Sequence, residues 1–307
     1  MAGLIKEEVL NELRSLLGPD RVLENEPMAR HTSFHLGGPA DAVVLPHGLD
    51  ELRQVLSLAS RRQVPVFVLG KGTNLIVRDK GIRGLVIKMA GGFDELRFQG
   101  PSVWAGAGLS LAELSTACAE RALSGLEFAQ GIPGTVGGAV VMNAGAYDGE
   151  MAKVVRTVEF VWYDGRVETY GRQAMEFGYR VSALQDRPVI VTRIEMGLRQ
   201  GDRKTIIALM ADLAERRRQR QPLDIPSAGS VFRRPPGHFA GTLIQDAGMQ
   251  GARVGGATVS LKHAGFIVNE GGATASDVLA LIELVQEKVK ERSGVELQAE
   301  VKVVGEK

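Results

Sequence analysis

The sequence predicts an α+β chain of three units, on three observations. Helix and strand periods alternate through the first 90 residues. Strand periods dominate from about 90 to 200. A proline-marked break near Pro222 then precedes a second helix–strand unit. At 307 residues the chain can hold two or three cores. Its 38 glycines are nearly twice the usual share of about 7%, and with no repeat or low-complexity tract in sight they belong to loops.

Residues 4–17 read as an amphipathic helix, with Ile5, Val9, Leu13 and Leu16 on one face and Gly18 as its stop. Strand-like runs follow at Ala42–Leu45, Val64–Leu69 and Gly84–Met89, with the helical stretch Leu49–Arg62 between the first two. Val103–Ala105 reads as a strand, and Ser110-Leu-Ala-Glu113 as a capping box opening a helix to about Ala122. Asp164-Gly165 between Val154–Tyr163 and Arg166–Tyr170 is a hairpin signal, and Val189–Met196 is a further strand. Lys204–Gln219 reads as a helix ending in Arg216, Arg217, Arg218 and Arg220. Cations there complement the helix dipole; without a second basic patch or an aromatic platform they do not imply nucleic acid. After Pro222 and Pro226 come strands near Ala257–Val259 and Gly265–Val268, a helix from about Ser276 to Glu291 stopped by Gly294, and a strand-like tail, Glu296–Val304. The units are therefore 1–90, 91–205 and 206–295, with the tail 296–307 returning to the first.

Composition narrows the function. A net charge of +1 gives no field for nucleic acid or an anionic membrane. Cys118 stands alone, so no intrachain disulfide forms, and its place on the apolar side of a helix reads as a buried thiol. The acidic residues of the N-terminal segment exclude a signal or transit peptide, and no apolar run nears the ~18 residues of a membrane span. A cytoplasmic enzyme without a metal site, and with no obligatory protein partner, is expected.

Two glycine loops stand out. Gly131-Ile-Pro-Gly-Thr-Val-Gly-Gly138 leads through a short apolar run to Asn143-Ala-Gly-Ala-Tyr147, and Gly70-Lys-Gly-Thr-Asn-Leu75 follows a strand. Loops so poor in side chains offer backbone N–H groups, which suit a phosphate or pyrophosphate. Neither common nucleotide grammar fits. In a P-loop, Pro65 would stand where the first glycine is needed and Gly72 where Ser or Thr is. In a dinucleotide fingerprint, Leu75 would replace the third glycine. Ser230, in Gly229-Ser-Val-Phe232, lacks the Gly-x-Ser-x-Gly elbow of a hydrolase.

Leu69–Val77, Gly131–Gly138, Asn143–Tyr147, Tyr179-Arg180, Gly229–Phe232, Lys262-His-Ala-Gly-Phe-Ile-Val-Asn269 and Glu300-Val-Lys-Val-Val-Gly305 occur in this order. Together they resemble the UDP-N-acetylenolpyruvoylglucosamine reductase family from about Thr32 to Glu306. The resemblance implies a flavin-binding module of two α+β subdomains, of the vanillyl-alcohol-oxidase type, followed by a C-terminal α/β substrate-binding domain. It implies non-covalent FAD held by Gly70, Lys71, Gly72, Thr73, Asn74, Leu75, Ile132, Pro133, Gly134, Thr135, Gly137, Gly138, Asn143, Ala144, Gly145 and Tyr147. It implies NADPH as co-substrate, with hydride passing through the flavin to the enolpyruvyl group of a UDP-sugar. Ser230 would give the proton, while Arg180 and Glu300 would stabilise the enolate, Glu300 in its protonated form. Tyr179, Gln245, Lys262 and Asn269 would meet the sugar nucleotide. His263 stays open between a ligand contact and a core histidine. The tyrosines are Tyr147, Tyr163, Tyr170 and Tyr179, so the chain resembles the shorter type without a tyrosine lid.

Two rivals remain at this level. An oxygen-using FAD oxidase on the same module often tethers flavin through a histidine in the first glycine loop, and here that loop has none. A non-catalytic nucleotide-binding module would not need Ser230, Arg180 and Glu300 together.

Overall fold

The computed structural model describes residues 5–307; Leu4, where the sequence places the start of the first helix, lies outside them. That helix runs Glu7–Leu17, with acidic residues in its first turn and Arg14 in its last, as its dipole favours. Val9, Leu10, Leu13 and Leu17 are buried. Leu16 is only half-buried, because the helix turns Leu17 inward instead. Gly18, at φ 90°, ends it by donating its N–H to the Arg14 carbonyl.

The first sheet has the order Val22–Pro27, Pro39–Val44, Ile82–Lys88, Val66–Leu69. Its first pair is antiparallel and the other two are parallel. The helix Leu49–Arg61 packs on it through Leu52, Val55, Leu56 and Leu58. Val22–Pro27 carries little apolar signal, because it is an edge strand with only Val22 buried. Gly70 opens its loop where Val66–Leu69 ends, with Leu69 beside Lys88. This is the carboxyl edge of parallel strands, where open α/β sheets bind ligands.

The second unit is a five-stranded antiparallel sheet, ordered Val167–Gly171, Val155–Trp162, Val189–Gly197, Ser102–Gly106, Leu96–Gln99. The Asp164-Gly165 turn forms, with Gly165 at φ 87° and Asp164 Oδ1 accepting from the Arg166 N–H at 2.9 Å. Helix Leu111–Glu120 is present, but its expected capping box is not: Ser110 makes no side-chain cap bond. Its backbone is instead drawn into a bridge with Thr135. A capping box does form at Thr274 and Asp277, heading the helix Ala275–Ser293.

One apolar cluster runs from Val9 to Leu198, so the first two units share a core. The third unit has its own, built on the antiparallel sheet Ser227–Ser230, Phe266–Asn269, Ala257–Val259, Arg253–Val254 and on the helices Ala240–Asp246 and Ala275–Ser293. Phe34, Leu36 and Ile76 of the first unit join that core. The tail strand Lys302–Val304 pairs in parallel with Leu75–Val77, directly after the first glycine loop. Cys118 is fully buried and its thiol is pushed up to about 12, so it is inert. Among the described residues no helix is long and apolar enough to cross a membrane, and no cluster of metal-ligating side chains occurs.

Candidate active site

The two glycine loops face each other. A Cβ added at Gly70 would lie 2.7 Å from Thr135 Oγ1, and one at Gly134 would lie 3.2 Å from Thr73 Oγ1. Thr73 Oγ1 also donates to the Pro133 carbonyl at 3.4 Å. The first loop keeps its donors open: among the described residues the N–H groups of Gly70, Lys71, Gly72, Thr73 and Asn74 meet no acceptor. Gly72 sits at φ 63°, and a Cβ there would fall 2.1 Å from the His31 carbonyl oxygen, so only glycine fits. Lys71 is exposed and forms no ion pair among the described residues. A cradle free of side chains, lined by a row of open N–H groups, fits a pyrophosphate.

The second loop is different. Gly131, Gly134 and Thr135 keep open N–H groups, but Gly137 donates to the Ala107 carbonyl at 2.9 Å and Gly138 to Thr135 Oγ1 at 3.2 Å. The resemblance assigns these last two to the cofactor; their amides are taken up by the protein. Gly137 serves instead to let the short helix Val136–Val141 approach Ala107, whose Cβ would lie 2.8 Å from an added one. Ile132 and Ala144 pack partly against the core, and half-buried Leu75 opens the strand that receives the tail. Asn143 is buried at φ 40°, donating to the Gly178 carbonyl at 2.9 Å and Glu150 Oε2 at 3.2 Å, and accepting from the Ala152 N–H at 2.9 Å. Its amide thus fixes the turn two residues before Arg180. Gly145 and Tyr147 lie on the small hairpin that follows, Tyr147 exposed at φ 49°.

The three catalytic candidates come together from three distant segments. The stretch after Ser230 pairs with the one before Glu300: the Glu300 N–H donates to the Val231 carbonyl at 2.7 Å, and the Arg233 N–H to that of Gln298 at 2.9 Å. Arg180 stands in a tight turn at φ 57°. Its Nε donates to Glu300 Oε1 at 2.8 Å and its Nη2 to the Gly145 carbonyl at 3.1 Å. Ser230 Oγ is half-buried and makes one long hydrogen bond, to the Phe232 carbonyl at 3.3 Å. Burial raises the Glu300 carboxyl above its ordinary range; Arg180 and, more weakly, Arg233 pull the other way without cancelling it. Asn74 Nδ2 donates to the Glu300 carbonyl at 3.4 Å, tying the first glycine loop to this group.

The substrate candidates divide. Tyr179 is exposed beside Arg180, its hydroxyl accepting from the Arg234 N–H at 3.3 Å. Lys262 and Gln245 are exposed and their side chains form no ion pair or hydrogen bond among the described residues. Asn269 differs from expectation: it is buried, donates to the Phe34 carbonyl at 3.0 Å, and accepts from the N–H groups of Gly271 and Ala273. It clamps the third unit to the first, its amide oxygen and one amide hydrogen being taken up within the protein. His263 is half-buried, accepting from the Gly265 N–H at 3.1 Å, packed edge-on to Phe266, and pushed down in pKa by burial. Sequence reasoning missed Arg233, whose buried Nε meets no partner among the described residues and whose charge acts on Glu300. The one signal was its place three residues after Ser230.

This fold and site define a flavin-binding oxidoreductase. Residues 40–171 match the family described as FAD binding domain, and residues 221–304 match UDP-N-acetylenolpyruvoylglucosamine reductase, C-terminal domain. The chain belongs to the UDP-N-acetylenolpyruvoylglucosamine reductase family. It is 49% identical over 301 residues to the reductase of that name from Alkaliphilus oremlandii, covering 98% of this chain and 99% of the relative. The enzyme from Syntrophomonas wolfei is 49% identical over 296 residues, covering 96% of this chain and 99% of the relative. The crystal structure of the Thermus caldophilus reductase superposes with a TM-score of 0.80 at 40% identity, over 90% of this chain and 97% of that one.

Proposed function

We propose that this chain is a cytoplasmic, NADPH-dependent flavoenzyme. It reduces the enolpyruvyl group of UDP-N-acetylglucosamine enolpyruvate to the lactyl ether, giving UDP-N-acetylmuramate for peptidoglycan synthesis. The observation that carries this reading is the half-buried Arg180–Glu300 contact of 2.8 Å, hydrogen-bonded through the Glu300 backbone to the Ser230 segment.

FAD would be held without a covalent bond, the open N–H groups of Gly70–Asn74, Gly134 and Thr135 taking its pyrophosphate. The first loop has no histidine, and His31, whose carbonyl abuts Gly72, has both ring nitrogens engaged, by Glu26 at 2.9 Å and Lys88 at 2.8 Å. Bound there, FAD supplies the two-electron chemistry between NADPH and the substrate's vinyl carbon. Arg180 meets the substrate carboxylate, whose planar charge its guanidinium matches. Glu300 and Gly145 fix its orientation beforehand. As negative charge grows at the α-carbon and spreads into the carboxylate, Arg180 stabilises it. Glu300 helps as a neutral acid donating a hydrogen bond, and its raised pKa supports that state. Ser230 Oγ gives its proton to the α-carbon and, being half-buried, regains one from water. Lys262 meets the diphosphate as a point charge, with Tyr179 and Gln245 offering hydrogen bonds.

Stopped-flow absorbance of the flavin tests the assignment. In Ser230→Ala, reduction by NADPH should stay within a few-fold of wild type, while reoxidation by the enolpyruvyl substrate falls by ~10²–10⁴, the loss of a positioned acid. Equal slowing of both halves would make Ser230 a binding or folding residue. Denaturation should release all the flavin to the supernatant; flavin left on the precipitated chain would refute the non-covalent reading.

A further inference from the structure

Arg180 stands where few side chains settle. Its φ of 57° lies in the left-handed region, which a residue other than glycine occupies only when its surroundings hold it there. Two backbone bonds close the turn on itself: the Gly178 N–H donates to the Val181 carbonyl at 3.0 Å, and the Val181 N–H to that of Gly178 at 3.2 Å. Such bonds set the shape of a turn; its place is set from outside. On one flank Asn143 Nδ2 holds the Gly178 carbonyl at 2.9 Å. On the other, Gln185 Nε2 donates to the Arg180 carbonyl itself at 2.8 Å.

Gln185 also reaches the second glycine loop. The same nitrogen donates to the Val141 carbonyl at 3.0 Å, and buried Ser182 donates through Oγ to that carbonyl at 2.7 Å. Val141 is the last residue of the short helix Val136–Val141, and the final carbonyls of a helix have no partner within it. The segment after Arg180 therefore caps the helix that the second loop opens. An amide nitrogen carries two hydrogens, and these two carbonyls take them. Met142 Sδ lies 3.4 Å from the same nitrogen and 4.0 Å from Asn74 Nδ2 of the first loop. We propose that Gln185, with Ser182, is a positioning residue for the substrate half-reaction. It pins the Arg180 backbone in its strained turn to the end of the glycine-loop helix, so that the guanidinium meets the substrate carboxylate in a fixed place. The inference rests on the role proposed above for Arg180. Without the grip the turn relaxes, and the contacts of Arg180 with Glu300 at 2.8 Å and the Gly145 carbonyl at 3.1 Å go with it. Hydride transfer from NADPH needs none of these contacts.

Stopped-flow absorbance of FAD-loaded Q185M, Q185K, S182A and R180A tests this. Q185M keeps the length of the side chain and removes both donors. Its flavin should be reduced by NADPH within a few-fold of the wild-type rate. Reoxidation at saturating enolpyruvyl substrate should fall about 10- to 100-fold, the scale of a catalytic group displaced by up to about 1 Å. Q185K, whose ammonium can donate to both carbonyls, should recover part of that loss. S182A should show a smaller loss in the same half-reaction. The discriminating measurement is the double variant. With no guanidinium left to place, Q185M or S182A added to R180A should slow its residual reoxidation by less than about twofold. Wild-type reoxidation in Q185M, or in S182A where Q185M does not fold, overturns the proposal. The full loss repeated in the R180A background overturns it too, as does equal slowing of both half-reactions, which makes Gln185 a residue of the frame alone. Those outcomes leave the Arg180 assignment standing, whereas R180A reoxidising at the wild-type rate overturns both.

Discussion

The two glycine loops look alike in sequence and do different work. Gly70–Asn74 keeps five consecutive N–H groups free of acceptors among the described residues, while Gly70 and Gly72 also admit Thr135 and the His31 carbonyl at close range. In the second loop the amides of Gly137 and Gly138 are satisfied inside the protein, and Gly137 exists to let a helix touch Ala107. A glycine can expose its own backbone or admit someone else's. Density of glycine reports that a close approach occurs; only the hydrogen bonds say what approaches.

Substitutions can break that contrast or sharpen it. The largest effect is expected for Gly72→Ala. Its Cβ would meet the His31 carbonyl at 2.1 Å at a φ of 63°. The strain and clash should cost about 3 kcal/mol of stability, seen as a lower Tm, and displacement of the loop should also weaken FAD binding ~100-fold by fluorescence titration. Near-normal FAD affinity in that variant would mean that the first loop is not the phosphate cradle. Gly137→Ala should act on stability alone. Overpacking against Ala107 should cost about 1–3 kcal/mol of stability, seen as a lower Tm, while the folded fraction binds FAD nearly as wild type. Lost FAD affinity at an unchanged Tm would erase the distinction between the loops. The smallest effect belongs to Thr135→Val, which removes the cap on Gly138 and should cost ~1 kcal/mol in chemical denaturation. No measurable loss would show that the short helix is held by packing alone.

Much of the fold is legible in the amino-acid sequence. The hairpin at Asp164-Gly165 and the Gly18 and Gly294 helix stops are local chemistry, and neighbouring residues suffice to specify them. Ser110 and Thr274 mark where that ends. Both head a plausible capping box, but a bridge to Thr135 diverts Ser110 while nothing competes for Thr274. The edge strand Val22–Pro27 is silent because one buried side chain makes no period. In the site, the glycine loops announce themselves, whereas the meeting of Ser230, Arg180 and Glu300 comes only from family resemblance, since no spacing rule joins segments so far apart. Asn269 shows a further reason. A polar side chain looks the same in sequence whether it meets a ligand, holds the frame or lies buried without a partner, and tertiary packing decides among these.

The contact between Asn74 and Glu300 spans 226 residues of chain. Translation runs one way, so the first glycine loop is made long before the strand Lys302–Val304 that backs it and the carboxyl that completes the site. A nascent chain halted between Lys88 and Glu300 has every strand of the first sheet and lacks that carboxyl. By the role proposed for Glu300, premature stop codons and proteolytic clipping ahead of it therefore leave a product without the group that the substrate half-reaction needs.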